Sequence, residues 1–338
     1  CARFSAFGQF NRATSGSGGM SRGLASFPRT RAPELGQLAS AVQSLRSNGR
    51  TFHFASTFFS RKTMEACARL YRFCRFVDDI ADGPASELQA TRQLQRVQSD
   101  ISDNRSHEEP VSDFLELARE YDLNLGLALE LVRGIESDVG GSRSFEEPDL
   151  LRYAYRVAGT VGLLMCSLIG VRDPRAYPFA VDLGIAMQLT NIARDVAEDA
   201  RRQRVYLPDP SLKAATLFHI ANGSPPVRSR LRTAVRNLLE MAEKYYASGE
   251  SGLAFLPVQA RFAILVASRT YRAIGTEIAA MNYSTWNGRA VVSQRTKQLT
   301  ALHSLKDCVT QRRFWMKPSA HDPSLHAHLQ GLPYIKSI

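Results

Sequence analysis

From about residue 33 onward, apolar side chains return at intervals of three and four residues almost without a break, and that period admits helices and little else. Val42, Leu45, Phe54 and Phe58 begin the pattern, and Cys67, Leu70, Cys74, Val77 and Ala81 continue it. Further stripes run through Leu115–Val139, Leu150–Val171, Phe179–Ala200, Val227–Tyr246, Phe262–Met281 and Val291–Cys308. No alternating runs of the kind that form hairpins flank an Asn-Gly or Asp-Gly turn. Pro and Gly gather between the stripes, at Asp82-Gly83-Pro84, Gly140-Gly141, Asp173-Pro174, Leu207–Pro210 and Ser224–Pro226. The pattern predicts an all-α chain of roughly ten to twelve helices on short loops, without the fixed period of a solenoid.

Composition narrows the class. The 338 residues exceed the roughly 250–300 at which a single core stops growing, so one large domain or two small ones are allowed. Hydrophobic residues at 44% and charged residues at 22% exclude a disordered chain, a collagen and a disulfide-stapled miniprotein. The longest apolar run, Val157–Val171, is broken by Gly159, Thr160, Gly162, Ser167 and Gly170. It falls short of the roughly 20 residues of a bilayer span, and reads as a buried helix. Five cysteines, an odd number without CxxC spacing, fit a reducing compartment or plain core use. Of the net charge of +11, five arginines lie in residues 1–33, which hold no acid, leaving +6 for the rest. No dense basic block with interleaved aromatics appears, so nucleic acid is not the expected partner.

Residues 1–33 are rich in Arg, Ser and Gly and aperiodic, which fits a disordered leader, an organelle transit segment or an in-frame stretch upstream of a start at Met20. Residues 34–316 form the expected domain. Residues 317–338, with Pro318 and Pro323, are expected to be a loose tail whose three histidines are incidental.

Two segments carry the chemistry, Tyr71–Asp82 and Gln188–Asp199. Asp78 and Asp82 are four apart, as are Asp195 and Asp199, so each pair projects from one helix face about 5–6 Å apart at Cβ. Asp79 and Glu198 flank the pairs, and Gln188 and Asn191 extend the second polar stripe. With 32 acids in the chain, a fixed triplet recurs by accident about 0.3 times. Two of them inside apolar stripes are harder to dismiss. Two carboxylates about 6 Å apart repel by roughly 3 kcal/mol at an effective dielectric near 20, so a buried pair calls for a cation. Hard carboxylate oxygens favour magnesium over zinc or copper, with manganese as the alternative ion. Magnesium keeps waters and is completed by substrate phosphates, which points to a diphosphate bridged to carboxylates on two facing helices. Arg75 and Arg194 are placed to neutralise charge or grip phosphate oxygens. The competing reading is a pair of solvated acidic faces. An EF-hand is excluded, because the loop glycine and ligand alternation are missing.

Asp78-Asp79-x-x-Asp82, preceded by Tyr71-x-x-Cys74-Arg75, resembles the first signature of the squalene/phytoene synthase family. Gln188-Leu189-Thr190-Asn191-Ile192-x-Arg194-Asp195-x-x-Glu198-Asp199, followed by Arg204-x-Tyr206-Leu207-Pro208, resembles the second. The resemblance runs from about Leu38 to Arg312 and includes Tyr153–Gly162, similar to a central helix whose small residues let a substrate chain pass close to the backbone. Thr51-Phe52 stands where the family has Ser-Phe, and Asn48 replaces a histidine. Tyr271 and Arg289 match a late aromatic and a basic group near the diphosphate.

The resemblance implies a single-domain, all-α isoprenoid synthase fold around one central cavity, and head-to-head condensation of two prenyl diphosphates. Ala200–Pro208 is most similar to the phytoene synthase branch. That branch joins two geranylgeranyl diphosphates through a cyclopropyl (prephytoene) diphosphate to phytoene, in carotenoid biosynthesis. The squalene synthase branch differs after the second motif, carries a C-terminal anchor and uses NADPH; Lys317–Ile338 shows no apolar anchor, and NADPH is not expected.

By the same resemblance Asp78, Asp79, Asp82, Asn191, Asp195, Glu198 and Asp199 hold magnesium, and Asp78, Asp82, Asp195, Asp199, Tyr153 and Arg75 are catalytic. Thr51, Phe52, Arg75, Gln188, Asn191, Arg194, Arg204, Tyr206, Tyr271 and Arg289 bind substrate, and Tyr153, Tyr206 and Tyr271 either turn rings to cationic intermediates or simply pack. Phe52, Val157, Ala158, Val161, Leu164, Met187 and Leu189 are expected along a dry cavity.

Three alternatives stay open: a C30 head-to-head synthase using farnesyl diphosphate (to dehydrosqualene, presqualene diphosphate or squalene), a non-catalytic relative that binds and assembles, and a terpene cyclase or head-to-tail prenyltransferase. Arg204–Pro208 argues against the third. Greasy substrates and product imply peripheral membrane contact, and contact with other carotenoid-pathway enzymes. The location is cytoplasmic or organellar, a plastid or mitochondrion if residues 1–33 are a transit segment.

Overall fold

The structure is a computed structural model, and it describes residues 54, 57–141, 146–213 and 215–335. Among them are eleven α-helices and no β-strand. The leader, Asn48, Thr51 and Phe52 lie outside the described residues.

The chain runs α1 (Arg61–Asp82), α2 (Glu87–Ser102), α3 (Glu109–Tyr121), α4 (Leu125–Glu136) and α5 (Glu147–Ala154), then a π-helical turn (Tyr155–Gly159) into α6 (Thr160–Leu168). There follow α7 (Tyr177–Arg201), α8 (Leu217–Asn222), α9 (Pro225–Ser251), α10 (Val258–Ala280) and α11 (Gln294–Thr310). Polar residues mark the starts: Ser60 accepts from the Thr63 amide before α1, and Ser86 with Gln89 forms a reciprocal capping box on α2. The stripe Leu115–Val139 spans two helices. Asp122 turns left-handed (φ 52°) to end α3, and Asn124 caps α4 by accepting from the Gly126 amide. The apolar period survives this break because both helices bury their stripe in one core.

α7 is the axis of the domain. Most of its residues are buried, and it packs on α9 more extensively than any other pair of described helices pack together. Glycines bring α7 against the π turn and α6 backbone to backbone. A Cβ at Gly184 would stand 2.4 Å from the Ala158 carbonyl oxygen, and one at Gly162 would stand 2.3 Å from that of Ala180. The small residues of the central helix, expected to admit a substrate chain, first of all admit α7. α1 is held from its outer side by α3, through a stacked Phe73–Phe114 pair with centroids 4.1 Å apart and an Arg69–Asp113 ion pair of 2.7 Å.

The expected loose tail is docked. His321 and His326 each place Nε2 2.7 Å from a different oxygen of Asp182, a fully buried carboxylate on α7 that also accepts from Ser248. Tyr245 donates to the Leu325 carbonyl, Tyr155 to that of Pro333, and Arg152 to those of His328 and Gln330. The tail looked unstructured because its partners are buried polar groups far away in sequence. Two ligands of one tetrahedral ion at about 2.0–2.1 Å would stand about 3.3 Å apart. The 2.7 Å separations are hydrogen-bond distances, and the trio acts as a clasp.

Burial alone would raise the Asp182 carboxyl, but the hydrogen bonds from the two histidines outweigh it and hold its pKa below the ordinary value. The clasp's contribution is therefore present above the ordinary carboxylate pKa, and is lost as pH falls through the lower, folded one. Asp182→Ala should cost about 2–4 kcal/mol of unfolding free energy. It should also open the tail to limited proteolysis; a tail that stays protected would contradict the clasp.

Candidate active site

α1 and α7 present their acids in the same way, at the end of a cavity that lies between them. On α1 the cavity is lined by Cys67, Leu70, Tyr71 and Cys74, and Asp78 and Asp82 follow one and two turns further on. On α7 it is lined by residues 180, 183, 184, 187, 188 and 191, and Asp195 and Asp199 follow one and two turns beyond Asn191. Asp78, Asp195 and Asp199 are buried, whereas Asp79 is exposed and Glu198 stands at the rim. The two patches converge. Arg202 reaches Asp82 at 3.2 Å and Glu198 at 3.4 Å, and Arg204 pairs with Asp82 at 2.6 Å.

Arginines hold these acids in place. Arg194 grips Asp195 with two contacts of 2.9 and 2.6 Å, and Arg289 reaches the same carboxylate at 3.2 Å and Glu198 at 3.9 Å. Arg75 lies 3.6 Å from Asp78 and pairs with Asp79. Burial works against the charge of Arg75 and Arg194, but the adjacent carboxylates outweigh it and hold both pKa values above the ordinary one. Arg289 is shifted the other way, by burial and then by the neighbouring Arg194 charge.

The residues present fit a hard dication. The acidic donors are all oxygens, and Asn191 aims Oδ1 into the buried space without a hydrogen-bond partner among the described residues. Such an acceptor suits a metal ion, a metal-bound water or a ligand hydrogen.

Behind the acids lies a cavity of about 160 Å³. No charged residue among the described ones lines it. Gln188, Asn191 and the phenols Tyr71 and Tyr271 stand on its walls, and burial raises the pKa of Tyr271. Val157, Ala158, Val161 and Met187 line it as expected, while Leu164 and Leu189 belong to the core. On α7 the lining positions 180, 183, 184, 187, 188 and 191 gather on one face of a 3.6-residue period, and position 189 falls opposite them. The lining residues of α1 were missed, although counting back from Asp78 in helical turns would have found them.

The structure places Tyr153 and Tyr206 in packing contact with each other and off the cavity wall. Their rings stack on each other with centroids 4.6 Å apart, both hydroxyls donate to the buried Asp138, and neither lines the cavity. The Asp138 carbonyl accepts from Arg204 at 3.2 Å, so the group ties the turn after α4 and α5 to the strap that reaches Asp82. Arg204 is likewise buried and bound to protein on several sides. Asp138 had no periodic signal to betray it.

The profile of the squalene/phytoene synthase family matches residues 45–296. The chain belongs to that family. It is 33% identical over 305 residues to the 15-cis-phytoene synthase of Pantoea ananas, covering 87% of this chain and 97% of that one. To the 15-cis-phytoene synthase of Enterobacter agglomerans it is 35% identical over 281 residues, covering 78% and 93%. A crystal structure of a dehydrosqualene synthase with ligand superposes with a TM-score of 0.72 at 23% identity, covering 82% of this chain and 98% of that one, which shows the isoprenoid synthase fold. The protein is thus a prenyltransferase of a family that binds prenyl diphosphates with divalent metal.

Tyr153→Phe and Tyr206→Phe should each lower unfolding free energy by about 1–3 kcal/mol, because Asp138 loses a buried donor. Turnover should stay within about a hundredfold of the parent; a greater loss would mark a direct role in proton transfer or cation stabilisation.

Proposed function

We propose that this prenyltransferase joins two geranylgeranyl diphosphates head to head and releases phytoene, the C40 precursor of carotenoids. The observation that carries this reading is the placement of two buried acidic patches one turn beyond the end of a long uncharged cavity. Identity to phytoene synthases of 33–35% supports the C20 substrate over the C15 one.

Asp78, Asp82, Asp195 and Asp199, with Asp79, Glu198 and Asn191 beside them, would hold magnesium. The ions would supply Lewis-acid neutralisation of a departing diphosphate. Arg75, Arg194 and Arg289 stand where they can exchange a carboxylate partner for phosphate oxygens, keeping the leaving group oriented as the allylic C–O bond breaks. The resulting allylic cation is attacked by the double bond of the second substrate, and proton loss closes a cyclopropyl diphosphate. Loss of the second diphosphate, ring rearrangement and a further proton loss give the linear polyene. Two diphosphates and two protons leave, and no reductant enters the balance.

The uncharged wall excludes water, which would capture either cation. Gln188 and Asn191 mark the boundary between this dry wall and the acids. Substrates and product of this kind dissolve in membranes. No helix among the described residues is long and apolar enough to cross one, and contact with the bilayer is proposed to be peripheral.

Asp78→Asn and Asp195→Asn should each reduce turnover by more than about a hundredfold, and chelation of magnesium should abolish it reversibly. Offered C15 and C20 diphosphates in competition, the enzyme should yield a C40 product by mass. Exclusive use of the C15 substrate would replace this reading with the C30 one. No diphosphate release with metal present would leave only a binding role.

A further inference from the structure

α11 wears its amphipathicity inside out. The face turned to the protein carries Lys297, Ala301, Ser304 and Cys308, four, three and four residues apart, and packs on α10. The large apolar side chains point away. Leu299, Leu302, Leu305 and Val309 are exposed, Leu302 at 62% and Val309 at 79%. A helix laid on a soluble core shows the opposite arrangement. Beyond the helix, Trp315 and Met316 are each about half exposed, and the Trp315 ring is fixed by donation of its Nε1 hydrogen to the Cys308 carbonyl at 2.7 Å. Seven of the twelve large apolar residues exposed among the described residues fall between 291 and 316, so they form a patch and not a scatter.

The charge around the patch has one sign. Arg295, Lys306 and Arg312 are exposed along it, and the single acid of this stretch, Asp307, is held by Arg269 at 2.6 Å. Arg295 and Lys306 share the outward face, in the order Arg295, Leu299, Leu302, Lys306, Val309, so their stems can lie along the leucines and carry the charge beyond them. Leucines, a tryptophan and basic residues on one face of a helix are the composition of a segment lying in a lipid interface. The patch is also one helix away from the cavity, because Ile264 and Ala267 of α10 line it.

We propose that α11, with Trp315 and Met316, is the surface by which the protein lies on an anionic bilayer. The inference rests on the lipid-chain substrates of the proposed function, and it names the face that meets their source.

The test is flotation of the full chain with phosphatidylcholine vesicles, with and without about a third phosphatidylglycerol. The parent should float with the anionic vesicles and lose partition as salt rises. Leu302→Glu with Val309→Glu should reduce partition at least about tenfold. Arg295→Gln with Lys306→Gln should cost about fivefold per residue at low salt and little at high salt. Leu88→Glu, at a comparably exposed leucine on α2, should leave binding unchanged. Turnover of C20 diphosphates in detergent micelles should stay at the parent level in every variant, which separates failure here from failure of the functional reading. The proposal is overturned if the parent floats with neither vesicle or if the Leu302/Val309 variant floats like the parent. It is equally overturned if the lipid-free parent is a dimer that this variant splits, since the face would then meet a second copy.

Discussion

Carboxylates crowded at the dry end of a cavity repel one another, and much of this structure exists to hold them there. Asp78 and Asp195 are almost entirely buried, where water cannot screen them. The chain answers with guanidinium groups from four different places: Arg75 on α1, Arg194 on α7, Arg204 beyond α7, and Arg289 between α10 and α11. Each comes from a separate stretch of sequence, so the acidic end can be assembled only when the whole domain has closed. The arrangement is stable without being saturated, since Arg289 is disfavoured by burial and by its neighbour Arg194.

The counterpart of this charged end is the wall behind it. α7 contributes both, in succession along one helix: residues up to Asn191 line an uncharged space, and Arg194, Asp195, Glu198 and Asp199 beyond them carry the charges. Glycine contacts of 2.3–2.4 Å for a notional Cβ lock the helix against its neighbour, so this division cannot slide by a turn without a backbone clash. The uncharged wall and the acidic end are thereby kept at a fixed separation.

How far the sequence could be read follows from what kind of signal each part left. The acids of α1 and α7 repeat with the helical period, as do Val157, Ala158, Val161 and Met187 of the cavity wall, so these were visible before any coordinates. Asp122 escaped because a left-handed turn of one residue leaves the apolar stripe intact. Tyr153 and Tyr206 were assigned to the substrate by resemblance, but their direction is set by Asp138, a lone acid beside two glycines that no period announces. The tail defeated the reading for a related reason: its anchors are a buried aspartate, tyrosine hydroxyls and an arginine that lie between 80 and 178 residues away.

That last separation has a consequence for how the protein comes into being. His321 and His326 are synthesised 139 and 144 residues after Asp182. At about 5–20 residues per second, the ribosome leaves this carboxylate without its clasp for roughly ten to thirty seconds. During that interval the centre of α7 cannot close dry around Asp182, so the helix that carries half of the acidic end is completed late. A chaperone meeting the nascent chain would find an unfinished surface there, at the core of the molecule and not at its rim.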